Sequence, residues 1–182
     1  LHWVLDHSGS IPEELAQIQQ NLSTYLGALR GSMLDWRVGV ANMEPGFSGR
    51  LRPATGWLSD PGATGSFGSE IQFYAIDCVR NFGPFGCSGS NEYGLYAGYA
   101  GLEYMSSINA PANARVRGEA VVGTLFFTDE NAQSIKFLMS PDGISYASED
   151  DLIARVGARY QGQTTVFSAV ADGVLCGENA VG

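Results

Sequence analysis

The feature that most constrains the fold is a short apolar run that ends at Asp6 and is followed almost at once by an amphipathic helix. Residues 2–5 are typical of a buried strand, and Ser10 with Glu13 forms the capping-box pattern that begins a helix. Apolar side chains then recur at helical spacing, at Ile11, Leu15, Ile18, Leu22, Tyr25, Leu26 and Leu29. A strand that turns tightly into such a helix indicates the first half of a β-α-β unit.

Two later segments extend this pattern into a parallel sheet. Gly31 is placed to end the helix, and residues 36–41 alternate Val38 and Val40 with smaller side chains, as a second strand would. Residues 120–128 are almost continuously apolar, which is expected of a strand covered on both faces. The sequence therefore predicts the α/β class, with a doubly wound, mostly parallel central sheet flanked by helices.

The rest of the chain fits one domain spanning residues 1–182. Residues 43–69 are rich in Gly, Ser and Pro and predict a long irregular insertion. Four further segments have a regular pattern: helical spacing at 70–81, at 94–108 with three internal glycines, and at 149–160, and a β-rich run at 164–170.

The charge of the chain excludes some classes of partner. Ten Lys and Arg face nineteen Asp and Glu, and a formal charge of −9 repels nucleic acid and anionic membranes but attracts cations. No run of eighteen apolar residues occurs, so we expect no membrane insertion by this segment. The chain opens on a strand without a signal-peptide pattern and stops without an evident closing helix, which favours an excised part of a longer protein.

The motif with the most chemical content is Asp6-His7-Ser8-Gly9-Ser10. It lies where the first strand turns into the helix, and the crevice at such strand ends is the usual ligand site of open α/β sheets. A carboxylate and two hydroxyls at alternate positions can converge on one point, and oxygen ligands suit hard cations such as Mg²⁺. The alternative is that Ser10 only caps the helix and Asp6 only ends the strand.

The segment Val4-Leu5-Asp6-His7-Ser8-Gly9-Ser10 closely resembles the metal-ion-dependent adhesion site of von Willebrand factor type A (vWA) domains. Leu125-Phe126-Phe127-Thr128-Asp129-Glu130 is similar to that family's later apolar strand, which ends in a Thr-Asp pair. The resemblance covers essentially the whole chain and implies a vWA fold, related to the Rossmann type. It implies that a divalent cation, Mg²⁺ or alternatively Mn²⁺ or Ca²⁺, is bound by Asp6, Ser8, Ser10 and Asp129, the serines directly and the aspartates through water.

One element of the family motif is missing, a Thr from the loop before the third helix. The chain has no Thr between Ser66 and Thr124, and Cys87-Ser88-Gly89-Ser90-Asn91-Glu92 occupies that place. Ser90 is the best substitute because a hydroxyl is the same type of ligand, followed by Ser88 and by the carboxylate of Glu92. The alternative is that this loop is ordinary turn chemistry.

The resemblance implies a binding module for adhesion or assembly, in which the cation accepts an Asp or Glu carboxylate from a protein partner. It also implies an extracellular, cell-surface or periplasmic location. A metal-independent scaffold that binds through its loops is the main alternative. An enzyme is disfavoured because residues 86–90 miss the G-x-S-x-G frame of a hydrolase and the chain has no phosphate-binding loop.

Three other residue types are capable of chemical roles. Cys78 and Cys87 are close enough in sequence to form a disulfide that clips a loop and leaves Cys176 over, or all three are reduced thiols. His7 is one of only two histidines, so a zinc site is not expected. The tryptophans are expected in the core rather than on a sugar-stacking face, and they are Trp3, Trp36 and Trp57.

Overall fold

The computed structural model describes residues 1–6, 12–43, 49–52, 55–59, 63–73, 94–128, 151, 154 and 165–170. This part of the chain contains both helices and strands. In order they are β1 (His2–Leu5), α1 (Pro12–Gly31), β2 (Gly39–Asn42), α2 (Ala63–Gln72), α3 (Gly94–Ser106), β3 (Val122–Phe127) and β4 (Thr165–Val170). A short 3-10 helix at Ala112–Ala114 lies between α3 and β3. The predicted α/β class is confirmed.

The strands form one parallel sheet in the order β2-β1-β3-β4. His2 begins β1 opposite Gly39 of β2 and Thr124 of β3. Leu5 ends β1 opposite Asn42 and Phe127, so three strands terminate at the same edge. Both neighbours of β1 come later in the chain, β2 on one side and β3 on the other.

Helices cover both faces of the sheet, as the alternation of side chains along a strand requires. Trp3 and Leu5 of β1 share a core with α1 and α2, whose buried members include Leu26 and Phe67. Val4, between them, packs on the opposite face with residues of the adjacent strands and of α3, namely Met43, Ala97 and Phe126. Both faces of β1 are therefore buried, which explains why Trp3, Val4 and Leu5 are all apolar.

Trp3 is a core residue, as predicted. Its ring packs against Tyr25 of α1, Phe67 of α2 and Phe127 of β3, with centroids 4.9, 4.8 and 4.4 Å away. Its indole nitrogen donates a hydrogen bond to the Tyr25 hydroxyl at 3.2 Å. These contacts hold β1 against two helices and one strand, so its end cannot shift without disturbing the core.

Two predicted boundaries were wrong. The second strand begins at Gly39 rather than at residue 36, and only a bridge from Val38 to Leu58 precedes it. The irregular insertion predicted for residues 43–69 is interrupted by α2, which begins at Ala63. Its glycines and serines suggested a loop, but Phe67 and Ile71 are four residues apart and both fully buried, so tertiary packing outweighs local propensity.

The other predicted elements are confirmed where the structure describes them. β1, α1, α3, β3 and β4 lie within a few residues of their predicted places. The helix predicted for 149–160 lies outside the described residues, apart from Asp151 and Ala154, which are helical. Cys78, Cys87 and Cys176 lie outside them too, so the disulfide stays a prediction. No helix in the described segments has the length and apolar character needed to cross a membrane.

The internal glycines of α3 bring the helix close to the structures on either side of it. A Cβ at Gly98 would lie 2.7 Å from the Phe126 ring of β3, and one at Gly101 would collide with the backbone oxygen of Gly49. Gly49 itself has a φ of +64°, a backbone conformation that residues other than glycine rarely adopt. The glycines that weaken α3 as a helix are thus required by its close approach to the sheet and to this turn.

Gly101→Ala is therefore expected to destabilise the protein by about 1–3 kcal/mol, the usual effect of overpacking. Gly27→Ala is the matched control, because Gly27 lies on the exposed side of α1 with no atom within 4 Å of its added Cβ. That control should gain about 0.5–1 kcal/mol from helix propensity. Urea denaturation of both variants checks the signs, and an equal gain in the two would mean that α3 does not approach Gly49 closely.

Candidate functional site

Asp6 is the first residue beyond β1, and its side chain is fully buried. Its backbone N–H donates to the carbonyl oxygen of Phe127 at 2.8 Å, which continues the ladder between β1 and β3 by one more bond. On the other side, the N–H of Met43 donates to the carbonyl oxygen of Leu5 at 3.1 Å. Asp6 is thus held by its neighbours at the carboxyl edge of the sheet.

Thr128 brings the second half of the predicted site to the same place. It follows the last residue of β3, and its hydroxyl donates a hydrogen bond of 2.8 Å to Oδ2 of Asp6. The two residues are 122 positions apart in the chain, so only the pairing of β1 with β3 can bring them together. Asp129, the predicted ligand of the later strand, is the next residue in the sequence.

The topology makes this edge a favourable place for a ligand. The chain runs from β1 to β2 on one side and later returns to β3 on the other, so the strand order reverses between β1 and β3. In open parallel sheets flanked by helices, ligands bind outside the carboxyl ends of the strands where the order reverses. Asp6 and Thr128 flank this position.

Asn42 is a further polar residue at this edge that the sequence did not single out. It ends β2 opposite Leu5, and it is buried. Its position could have indicated a site residue, because Asn42 directly follows the small and apolar side chains of a predicted strand. Thr128 was not predicted as a site residue either. The sequence indicated the end of the strand but not which neighbouring side chain the Thr128 hydroxyl would contact.

The remaining predicted ligands lie outside the described residues, and they are Ser8, Ser10, Ser88, Ser90, Glu92 and Asp129. Their positions around Asp6 stay predictions. Within the described ranges, no group of three or more His, Cys, Asp and Glu side chains is arranged to bind a metal ion. Asp6 alone of the predicted set belongs to those ranges, and its oxygen chemistry fits a hard divalent cation.

His2, at the opposite end of β1, is not suited to bind a metal. Its ring is fully buried, and its Nε2 lies 2.8 Å from the carbonyl oxygen of Gly49, which makes Nε2 the protonated nitrogen. Burial lowers the pKa of His2 to about 4, so the ring is neutral at physiological pH. Its hydrogen bond to the turn at Gly49 instead ties the start of the central strand to that turn.

A second buried carboxylate belongs to a structural ion pair. Glu70 of α2 accepts from Arg52 at 3.1 Å, and the Arg52 guanidinium also stacks on the Phe73 ring, 3.8 Å from its centroid. Burial raises the pKa of Glu70, and the positive charge of Arg52 opposes that shift. This pair joins the segment after β2 to α2. The Arg52 guanidinium compensates the charge of the Glu70 carboxylate without a metal ion.

A cavity of about 540 Å³ lies at the opposite, amino-terminal edge of the sheet, among Leu1, Leu29, Trp36 and Val122. Leu1 is five residues before Asp6, or about 16 Å along the strand at its usual rise. The cavity is therefore separate from the carboxyl edge.

Comparison of the chain with protein-family models, with curated proteins and with solved structures gives no match.

Proposed function

We propose that the protein is a vWA-type, doubly wound binding module whose carboxyl edge holds a divalent cation, Mg²⁺ by preference. The observation that carries this proposal is the hydrogen bond between Thr128 and Asp6. It joins the two segments that, on sequence grounds alone, resemble the two halves of one cation site.

The chemistry of the described residues supports a cation at this position. Asp6 is a fully buried carboxylate, and burial of a negative charge is costly unless a cation or hydrogen bonds compensate for it. The Thr128 hydroxyl supplies one such bond. The net charge of −9 also raises the local concentration of cations around the protein.

In the proposed site, Ser8 and Ser10 ligate the ion directly, while Asp6 and Asp129 act through ion-bound water. Ser90, or alternatively Ser88 or Glu92, completes the set from the loop before α3. Hydroxyl ligands leave the ion electron-poor, so an Asp or Glu carboxylate from a protein partner is attracted to its open coordination position. We propose binding rather than catalysis, in an extracellular, cell-surface or periplasmic setting.

Calorimetric titration with Mg²⁺ and Mn²⁺ tests this function directly. Ser8→Ala removes a proposed ligand and is expected to lower the affinity for either ion by roughly 10-fold or more. Ser23→Ala is the matched control, because Ser23 is exposed on α1 and its loss should leave the affinity unchanged.

Equal ion binding by wild type and Ser8→Ala would refute the metal site. Removal of the ion with EDTA separates the two binding modes. Partner binding that persists in EDTA would favour the metal-independent scaffold, whereas binding that is lost in EDTA and restored by Mg²⁺ would support the metal bridge.

A further inference from the structure

We infer that the cavity at the amino-terminal edge of the sheet is a second binding site, which takes a small molecule with a single alkyl chain and a terminal carboxylate. This site goes beyond the proposed cation site and does not depend on it. All the residues that line the cavity belong to the described part of the chain. Its volume of about 540 Å³ falls within the usual range of small-molecule pockets, roughly 300–1,000 Å³.

The walls of the cavity are mostly apolar. They come from the start of the sheet, from the end of α1 and from the segments that precede β2 and β3, and they include Leu1, Leu29, Trp36, Trp57, Val122 and Leu125. The indole nitrogen of Trp57 donates a hydrogen bond of 2.9 Å to the carbonyl oxygen of Ala114, which holds this wall in place. Such a pocket binds chiefly by removing apolar surface of the ligand from water, which suits an alkyl chain.

Two exposed apolar side chains extend these walls to the surface of the protein. Leu34 and Val121 both line the cavity, yet they are 70% and 68% exposed. They are two of the four large apolar side chains that the described residues expose. Exposed apolar side chains that adjoin a cavity are typical of a ligand-binding groove. We therefore place the entrance of the cavity between Leu34 and Val121.

The charged groups of the cavity favour an anionic ligand. Its two acidic residues, Asp35 and Glu119, are exposed, whereas two of its arginines, Arg37 and Arg117, are half-buried. Arg117 is paired with Asp35. The third arginine, Arg115, donates hydrogen bonds to two backbone carbonyl oxygens. The Arg37 side chain forms no hydrogen bond or ion pair with any residue that the structure describes, so its guanidinium is available to a ligand.

The backbone of Arg37 is fixed at the edge of the cavity. Its carbonyl oxygen accepts a hydrogen bond of 2.5 Å from the nitrogen of Leu1. The next residue, Val38, exchanges two backbone hydrogen bonds with Leu58, at 2.9 and 2.7 Å. A guanidinium can donate two parallel hydrogen bonds to one carboxylate. In the resulting arrangement the apolar walls surround the alkyl chain and Arg37 binds the carboxylate.

Calorimetric titration with decanoate tests this site. EDTA is present throughout, so that no cation at the carboxyl edge can bind the carboxylate. Decanoate is expected to bind roughly 10–20-fold more tightly than octanoate, because each methylene removed from water raises the affinity about fourfold. Decan-1-ol keeps the alkyl chain but lacks the charge, and it should bind roughly tenfold more weakly than decanoate.

Arg37→Gln removes the guanidinium and should weaken decanoate binding roughly tenfold while leaving decan-1-ol binding unchanged. Arg50→Gln is the matched control. Arg50 is exposed, stacks on Tyr104 and does not line the cavity, so the same loss of charge there should leave both affinities unchanged. Ala120→Trp fills the cavity from one wall and should abolish binding of both molecules. Far-ultraviolet circular dichroism establishes that each variant is folded.

Nuclear magnetic resonance locates the bound decanoate without any substitution. Its addition is expected to shift the amide signals of Val121 and Gly123, at the cavity, and to leave that of Asp6 unchanged. Shifts at Asp6 alone, or a wild type that does not bind decanoate, would overturn the site. Equal affinities for decanoate and octanoate, or binding that survives in folded Ala120→Trp, would do the same. Equal weakening by Arg37→Gln and Arg50→Gln would overturn the role of Arg37 and indicate general attraction of the anion.

Discussion

Asp6→Asn is expected to lower Mg²⁺ affinity by roughly 10–100-fold. The amide preserves the shape of the side chain, and its oxygen can still accept the hydroxyl of Thr128. The negative charge is lost, and an NH₂ donor replaces one of the two acceptor oxygens.

Thermal denaturation with and without Mg²⁺ measures this difference. At 100 times the dissociation constant, a ligand stabilises the folded state by about 2.7 kcal/mol, which raises the melting temperature of a domain of this size by about 5–10 °C. Wild type should show that increase, and Asp6→Asn should not.

The control for this variant is Asp35→Asn, which changes the net charge by the same amount. Asp35 is exposed and forms a surface ion pair with Arg117, a contact of small energetic value. Its variant should keep the full response to Mg²⁺. Loss of the response in both variants would mean that the overall charge, rather than a site at Asp6, attracts the ion.

Acidification from pH 7.5 to 4.5 is expected to remove about 2–3 kcal/mol of stability through His2 alone. Burial lowers the pKa of this histidine from 6.5 to about 4 in the folded protein, so between those values the unfolded chain binds a proton that the folded chain does not. The contribution is complete above pH 6.5 and is lost as the pH falls towards 4.

His2→Gln provides the comparison, since glutamine does not titrate and its amide can donate to the carbonyl oxygen of Gly49. Urea denaturation at both pH values should show a smaller loss of stability in His2→Gln than in wild type, by that same 2–3 kcal/mol. Nuclear magnetic resonance titration of the His2 ring gives the pKa independently. Parallel pH dependence in the two proteins, or an ordinary His2 pKa, would contradict the burial of this ring.

Much of the fold was predictable because the relevant signals are local. The apolar stripe of α1 has a helical period, and the continuous apolar character of β3 indicates a strand buried on both faces; each pattern lies within one segment. The start of α2 was not predictable in this way. Its residues form a helix because Phe67 and Ile71 are buried against β1 and α1, and such contacts are not encoded in the segment itself.

In the candidate site, too, some features were predictable from local sequence and others depend on contacts between distant segments. That Asp6 and the segment ending in Thr128 should both face the carboxyl edge followed from their places after apolar strands. The bond between them did not follow, because the register of β1 against β3 depends on how two distant segments pair. A shift of one residue would turn every side chain of the strand to the other face, and no local pattern specifies that alignment.

The central position of β1 has a consequence for how the molecule assembles. The first strand formed by the chain pairs with a strand more than 110 residues later, so the centre of the sheet closes only after most of the chain is available. Contacts of such long range generally slow folding. Thr128 cannot reach Asp6 until that closure has occurred. Any ion bound there consolidates a finished domain and cannot direct its early folding.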